Sequence, residues 1–211
     1  MIRESSAKGD ERFTVRLEAF SDLVFGFSLS LLATRLEIPN RVEDIFEPTR
    51  WLAVIGTFGF VCRFWLEHFR IFRHGFVATM FDAVVNFIFL FAIAVLPYSV
   101  QTFLRFQMLL PSFALYVGDF SLILASLALL RVRGLRQRRN DPDVPQRLRE
   151  WRRSFMQLTI SGLMIGLLVA LAVHGGSFME AMKALDVYVA IGVAAIIVVS
   201  KVLRRLPSFL A

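Results

Sequence analysis

Apolar residues in this chain come in long unbroken runs, with polar residues gathered in the gaps between them. Six runs are long enough to cross the hydrocarbon core of a bilayer, which takes about 20 helical residues. They cover approximately 17–36, 51–72, 76–103, 113–130, 155–173 and 185–203. Continuous runs predict helices, since a membrane barrel would show alternation over stretches of about ten residues. Most of the gaps are short. Pro39-Asn40 and Pro48 bracket the first, Arg73-His74-Gly75 marks the second, Pro111 opens the fourth run and His174-Gly175-Gly176 ends the fifth. The expected fold is an all-α membrane protein, residues 1–211 forming one compact domain with six transmembrane helices.

Composition strengthens this picture. The chain is 56% hydrophobic, carries 22 Phe and has a mean hydropathy of +0.62. A soluble domain of this length could not bury so much apolar surface, so lipid is expected to cover the excess. A net charge of +7 could suggest nucleic acid, but the basic residues lie between apolar runs, as juxtamembrane charges do. With the N-terminus inside, the cytoplasmic side collects Arg3, Lys8, Arg12 and Arg16, then Arg63, Arg70 and Arg73, the arginines of 131–153, and finally Lys201, Arg204 and Arg205. Arg35, Arg41, Arg50, Arg105 and Lys183 fall on the opposite side. That asymmetry predicts both termini in the cytoplasm. The first run lacks a small-residue cleavage site and reads as an uncleaved span. Arg131 to Arg153 is the one extended hydrophilic segment, turning at Asn140 to Pro145; it suits a topology anchor that also attracts anionic lipid.

Candidate chemistry is sparse. Phosphate-binding, nucleophile-elbow and zinc-protease motifs are missing, and the single Cys62 permits neither an intrachain disulfide nor a cysteine-paired metal site. His68, His74 and His174 are widely spaced, and the last two sit at span ends. No enzyme, metal or cofactor is expected, and no filter of the TVGYG kind is present.

What remains is polarity inside the spans, and it concentrates at the first. Arg16-Leu17-Glu18-Ala19-Phe20-Ser21-Asp22 opens that run, and an ionisable residue there is a functional candidate by default. On a helical wheel Phe27, Leu31 and Thr34 fall within about 60° of one another with Ser30 beside them, while Asp22 points roughly 140° away from Phe27. Ser21 and Asp22 are therefore expected to bond to neighbouring helices while the Phe27 face looks elsewhere. Trp65 and His68, an i, i+3 pair in the second span, are the donors nominated for them, with Asp82 and Asn86 of the third span at the same depth.

Arg16-xxx-Phe20-Ser21-Asp22 resembles the RxxxFSD signature of the transmembrane protein 175 family, the endolysosomal potassium channels of animals and their microbial relatives. Phe64 to Phe72 is similar to the second span of that family, and Asn86 to Leu90 with Leu96-Pro97-Tyr98 to its third. The resemblance implies a potassium channel whose pore is lined by the first helix of each subunit. For a chain with a single six-span repeat it implies a homotetramer. The constriction of that pore maps to Phe27, where the family carries Ile or Leu, and further lining positions map to Ser30, Leu31 and Thr34. Arg16, Phe20, Ser21, Asp22, Trp65 and His68 would form the signature and the inter-helix network. The expected function is passive conduction of K+ through a hydrophobic constriction that serves as filter and gate. Two alternatives stand beside it: a proton-coupled secondary transporter using Asp22 or Asp82, and a non-conducting membrane scaffold.

Overall fold

A computed structural model describes residues 2–34, 41–73, 76–106, 109–137 and 144–173. The run at 185–203, His74, His174 and the turn at 140–143 lie outside the described residues. The elements are α1 (Ile2–Thr34), a short 3-10 turn (Val42–Phe46), α2 (Pro48–Phe72), α3 (Met80–Arg105), α4 (Leu110–Gln137) and α5 (Val144–Val173). Each of these five helices is long and apolar enough to cross a membrane. Among the described residues there is no strand.

Local chemistry explains the helix starts. Pro48 opens α2, where its missing N–H belongs to a group the first turn leaves unbonded anyway. Thr79 caps α3 through a reciprocal pair of bonds: its hydroxyl accepts from the Asp82 N–H, and the Asp82 carboxylate accepts from the Thr79 N–H at 2.9 Å. The expected third span therefore begins four residues late. Residues 76–79 form a non-helical approach in which Phe76 and Ala78 are buried.

The helices alternate in direction, and side-chain pairs show it. Residues of α1 meet α3 and the approach to it at a near-constant offset, Thr14 with Ala78, Ser21 with Asn86 and Ser28 with Ile93, so these two helices run parallel. Asp82 with Arg133 and Ser99 with Asp119 pair α3 with an antiparallel α4. Arg131 with Gln157 does the same for α4 and α5. The core gathers around α3, where Phe89, Ala92, Ile93 and Leu96 are fully buried against Val61 of α2 and Ile123, Leu127 and Leu130 of α4.

Other boundaries differ from expectation more widely. α1 reaches back to Ile2, about four turns before the apolar run. Part of that extension is held by Thr14, whose hydroxyl donates to the Asp10 carbonyl at 2.9 Å and accepts from the Ala78 N–H at 2.8 Å. The segment 131–153 is not an extended hydrophilic loop: its described parts are the C-terminal turns of α4 and the N-terminal turns of α5. Arginine is a good helix former, and here the polar side chains find partners on other helices. Arg131 reaches Glu67, Arg133 reaches Asp82, and the Gln137 amide clamps both backbone groups of Val77 at 3.0 and 2.8 Å.

Pro97 lies inside α3. Its missing N–H leaves the Ile93 carbonyl, four residues earlier, without a helical donor. The Ser28 hydroxyl of α1 donates to that carbonyl at 2.8 Å, and both residues are fully buried. Ser28→Ala is expected to destabilise the fold by about 1 kcal/mol. Pro97→Ala, which restores the helical donor, should shrink that loss, and a double-mutant cycle of thermal unfolding in detergent measures the coupling.

Candidate functional site

α1 has a packed face and an open one. Thr14, Leu17, Ser21, Phe25, Ser28 and Leu32 recur at helical spacing and are buried against α2 and α3. On the opposite side Phe20, Leu23 and Phe27 are 47%, 69% and 59% exposed, and Ser30 and Thr34 are exposed with them. Leu31 is half-buried at the edge of this ribbon. Phe27, Ser30 and Thr34 thus share one uncovered face, turned away from the chain's own core.

The packed face carries two polar joints. In the first, the Ser21 hydroxyl donates to the Leu17 carbonyl at 2.7 Å and accepts from the Asn86 amide at 2.9 Å. Asn86 Oδ1 then meets His68 Nε2 at 2.8 Å, so with this amide orientation Nε2 carries the hydrogen. All three residues are buried. The imidazole lies between the Phe72 and Phe89 rings, stacked at centroid distances of 4.6 and 5.4 Å, with Phe25 edge-on at 5.8 Å. That aromatic sleeve fixes the ring plane and keeps water from the joint. In the second joint, Trp65 Nε1 donates to Asp22 Oδ1 at 2.8 Å, at the more exposed border of α1 and α2. Trp65 also stacks on Phe69.

Ser21, Asp22, Trp65 and His68 therefore come together at the α1–α2–α3 junction, but not as one cluster. His68 does not touch Ser21 directly, because Asn86 stands between them. Phe20 meets the Phe87 ring edge-on at 5.8 Å and belongs to the border of the open ribbon. Arg16 is exposed and makes no hydrogen bond or ion pair among the described residues. Asp82 is bound into the α3 cap and to Arg133 at 2.8 Å. Asn86 was placed at the right depth by the sequence, yet its role as the link was not; its spacing of four from Asp82 carried no hint that the two face different helices. Ser28 was missed altogether, although it stands seven residues after Ser21 on the same face and Pro97 advertises a carbonyl in need.

Residues 16–97 match the family model described as the endosomal/lysosomal potassium channel TMEM175. The crystal structure of a point variant of the potassium channel MtTMEM175, in complex with a nanobody–MBP fusion protein, has a similar fold, with a TM-score of 0.69 at 18% identity. The match covers 90% of this chain and 93% of that one. No curated protein matches the chain.

The two joints predict different costs. Asn86→Ala leaves the buried His68 N–H and the Ser21 oxygen without partners and is expected to cost about 1–3 kcal/mol. Trp65→Phe removes a donor from the better-solvated Asp22 and should cost about 0.5–1.5 kcal/mol. Thermal unfolding of the two variants in the same detergent checks the order.

Proposed function

We propose that this chain, a member of the TMEM175 family through residues 16–97, is one subunit of a potassium-preferring cation channel in which copies of α1 surround a central axis. One observation carries the reading: the helix at the head of the family segment leaves an apolar ribbon bare along one face while its other face is packed. A homotetramer would turn four such ribbons toward one another and remove them from lipid. The sixth span at 185–203 would complete the subunit, with both termini cytoplasmic in a prokaryotic inner membrane. The basic ends of α4 and α5 would then face the anionic cytoplasmic leaflet.

The ribbon has the chemistry for passive conduction. Rings of Phe27 and Leu31 would form an apolar constriction. Potassium, more weakly hydrated than sodium, sheds part of its water shell there at lower cost, and dewetting of the same rings closes the path. Ser30 and Thr34 turn their hydroxyl hydrogens back to the Gly26 and Leu31 carbonyls, at 3.0 and 2.9 Å. Their oxygens present lone pairs outward, which suits a passing cation. No cofactor is needed beyond the permeant ion. The carboxylates that a proton-coupled transporter would use are otherwise engaged: Asp82 is held by Thr79 and Arg133, and Asp22 by Trp65.

Protein purified into liposomes is expected to carry potassium down its gradient without a pH difference. Phe27→Ala should raise the flux several-fold and weaken discrimination against sodium, read as a shift in reversal potential in a planar bilayer. A silent wild type together with a Phe27→Ala variant that conducts no better would remove the pore assignment.

A further inference from the structure

The described residues hold a second polar centre, away from the α1 ribbon. Glu67 of α2 is buried, yet four arginines from three helices converge on its carboxylate. Arg131 of α4, itself buried, takes Oε2 at 2.6 Å, and Arg63 takes Oε1 at 2.7 Å. Arg70 and Arg153 approach Oε1 at the longer distances of 3.2 and 3.3 Å. A carboxylate oxygen offers two lone pairs, so three guanidinium groups on Oε1 exceed what it can accept. One carboxylate likewise cannot neutralise four cations. Among the described residues, Glu150 is the other carboxylate that lines the adjoining cleft.

That cleft is small and open, and lies between α2, α4 and α5. Arg70, Arg131 and Arg153 line it with Glu67 and Glu150, and the buried Ile71 and Leu135 back it. Arg153 is half-exposed, so part of its planar donor fork faces solvent. Glu67 acts as a buried organiser that gathers guanidinium groups at one level near the helix ends.

We propose that this cleft is a binding seat for one phosphate group, supplied by the head group of an anionic membrane lipid. Guanidinium forks match phosphate oxygens in pairs, and a phosphate relieves the repulsion among the arginines. The source is a lipid because the seat sits near the ends of helices long and apolar enough to span a membrane. The inference rests on the membrane-spanning reading and is independent of whether the α1 ribbon conducts. A ligand here touches α2, α4 and α5 together, so occupancy stabilises their packing.

The test is thermal unfolding and native mass spectrometry of the purified full chain. Short-chain phosphatidylglycerol, phosphatidylcholine and inorganic phosphate are added separately. Phosphatidylglycerol is expected to raise the unfolding temperature and stay bound, with the other two far weaker. Arg153→Gln should weaken phosphatidylglycerol binding by about tenfold, the loss of one charged hydrogen-bonding partner. Arg153→Lys should recover part of it. Arg149→Gln removes the same charge from an exposed position of the same helix outside the cleft and should bind like wild type. Equal losses in Arg153→Gln and Arg149→Gln would mean a diffuse basic surface and overturn the seat. Inorganic phosphate binding as tightly as the lipid, with the same dependence on Arg153, would overturn the lipid source. Unfolding temperatures unmoved by any of the three would overturn the proposal while leaving the channel reading untouched.

Discussion

A bilayer interior offers no water to a polar group, so every donor and acceptor within these helices has to find its partner inside the protein. Ser28 shows what that requires. Pro97 takes one donor out of α3, and the carbonyl it strands at Ile93 is met by a hydroxyl from a helix more than sixty residues away in sequence. In a soluble protein a water molecule could serve. Here the repair fixes the height and rotation of α1 against α3 at one point. Thr14 with Ala78 and Ser21 with Asn86 fix them at two others along the same line.

Three bonds in a row on one face of α1 leave it no freedom to turn. The opposite face must then point outward whatever its side chains prefer. For lipid-facing residues that would be unremarkable, but Ser30 and Thr34 bring hydroxyls into the exposed strip beside Phe27. A hydroxyl satisfied by its own helix is tolerated in lipid, so these residues do not by themselves require a pore. The proposed pore role of the ribbon draws instead on the combination of a fixed rotation of α1, the exposed ring of Phe27, and hydroxyls beside it.

Much of this was legible from residue order. The apolar runs located all five described helices, because a bilayer demands length and continuity and both are visible in a string of letters. The helical wheel separated Phe27 from Asp22 because a 100° step is a property of the backbone and needs no tertiary knowledge. Trp65 was nominated for Asp22 on depth alone, and the bond between them is present. Other features could not be read. The helical extension of α1 to Ile2 is polar, so no apolar periodicity announced it. The arginines of 131–153 looked like a solvated segment, since their partners Glu67 and Asp82 lie on helices that only folding brings near. Asn86 and Ser28 act across helix pairs, and pairing is information that periodicity does not contain.

The joints that orient α1 lie mostly inside the segment that matches the family model, residues 16–97. Three of them have both partners there, Ser21 with Asn86, Asp22 with Trp65 and Ser28 with Ile93, while Thr14, which meets Ala78, stands just before it. The residues of this three-helix unit thus constrain one another, while Glu67 and Asp82 also bond outward. α4 and α5 attach from outside through Arg131 to Glu67, Arg133 to Asp82 and Asp119 to Ser99, together with apolar contact. Charge pairs and apolar surface can be met by many sequences, whereas a hydroxyl opposite a proline-stranded carbonyl cannot. A chain built this way can keep its fold while most of its letters change, as the similar fold at 18% identity requires.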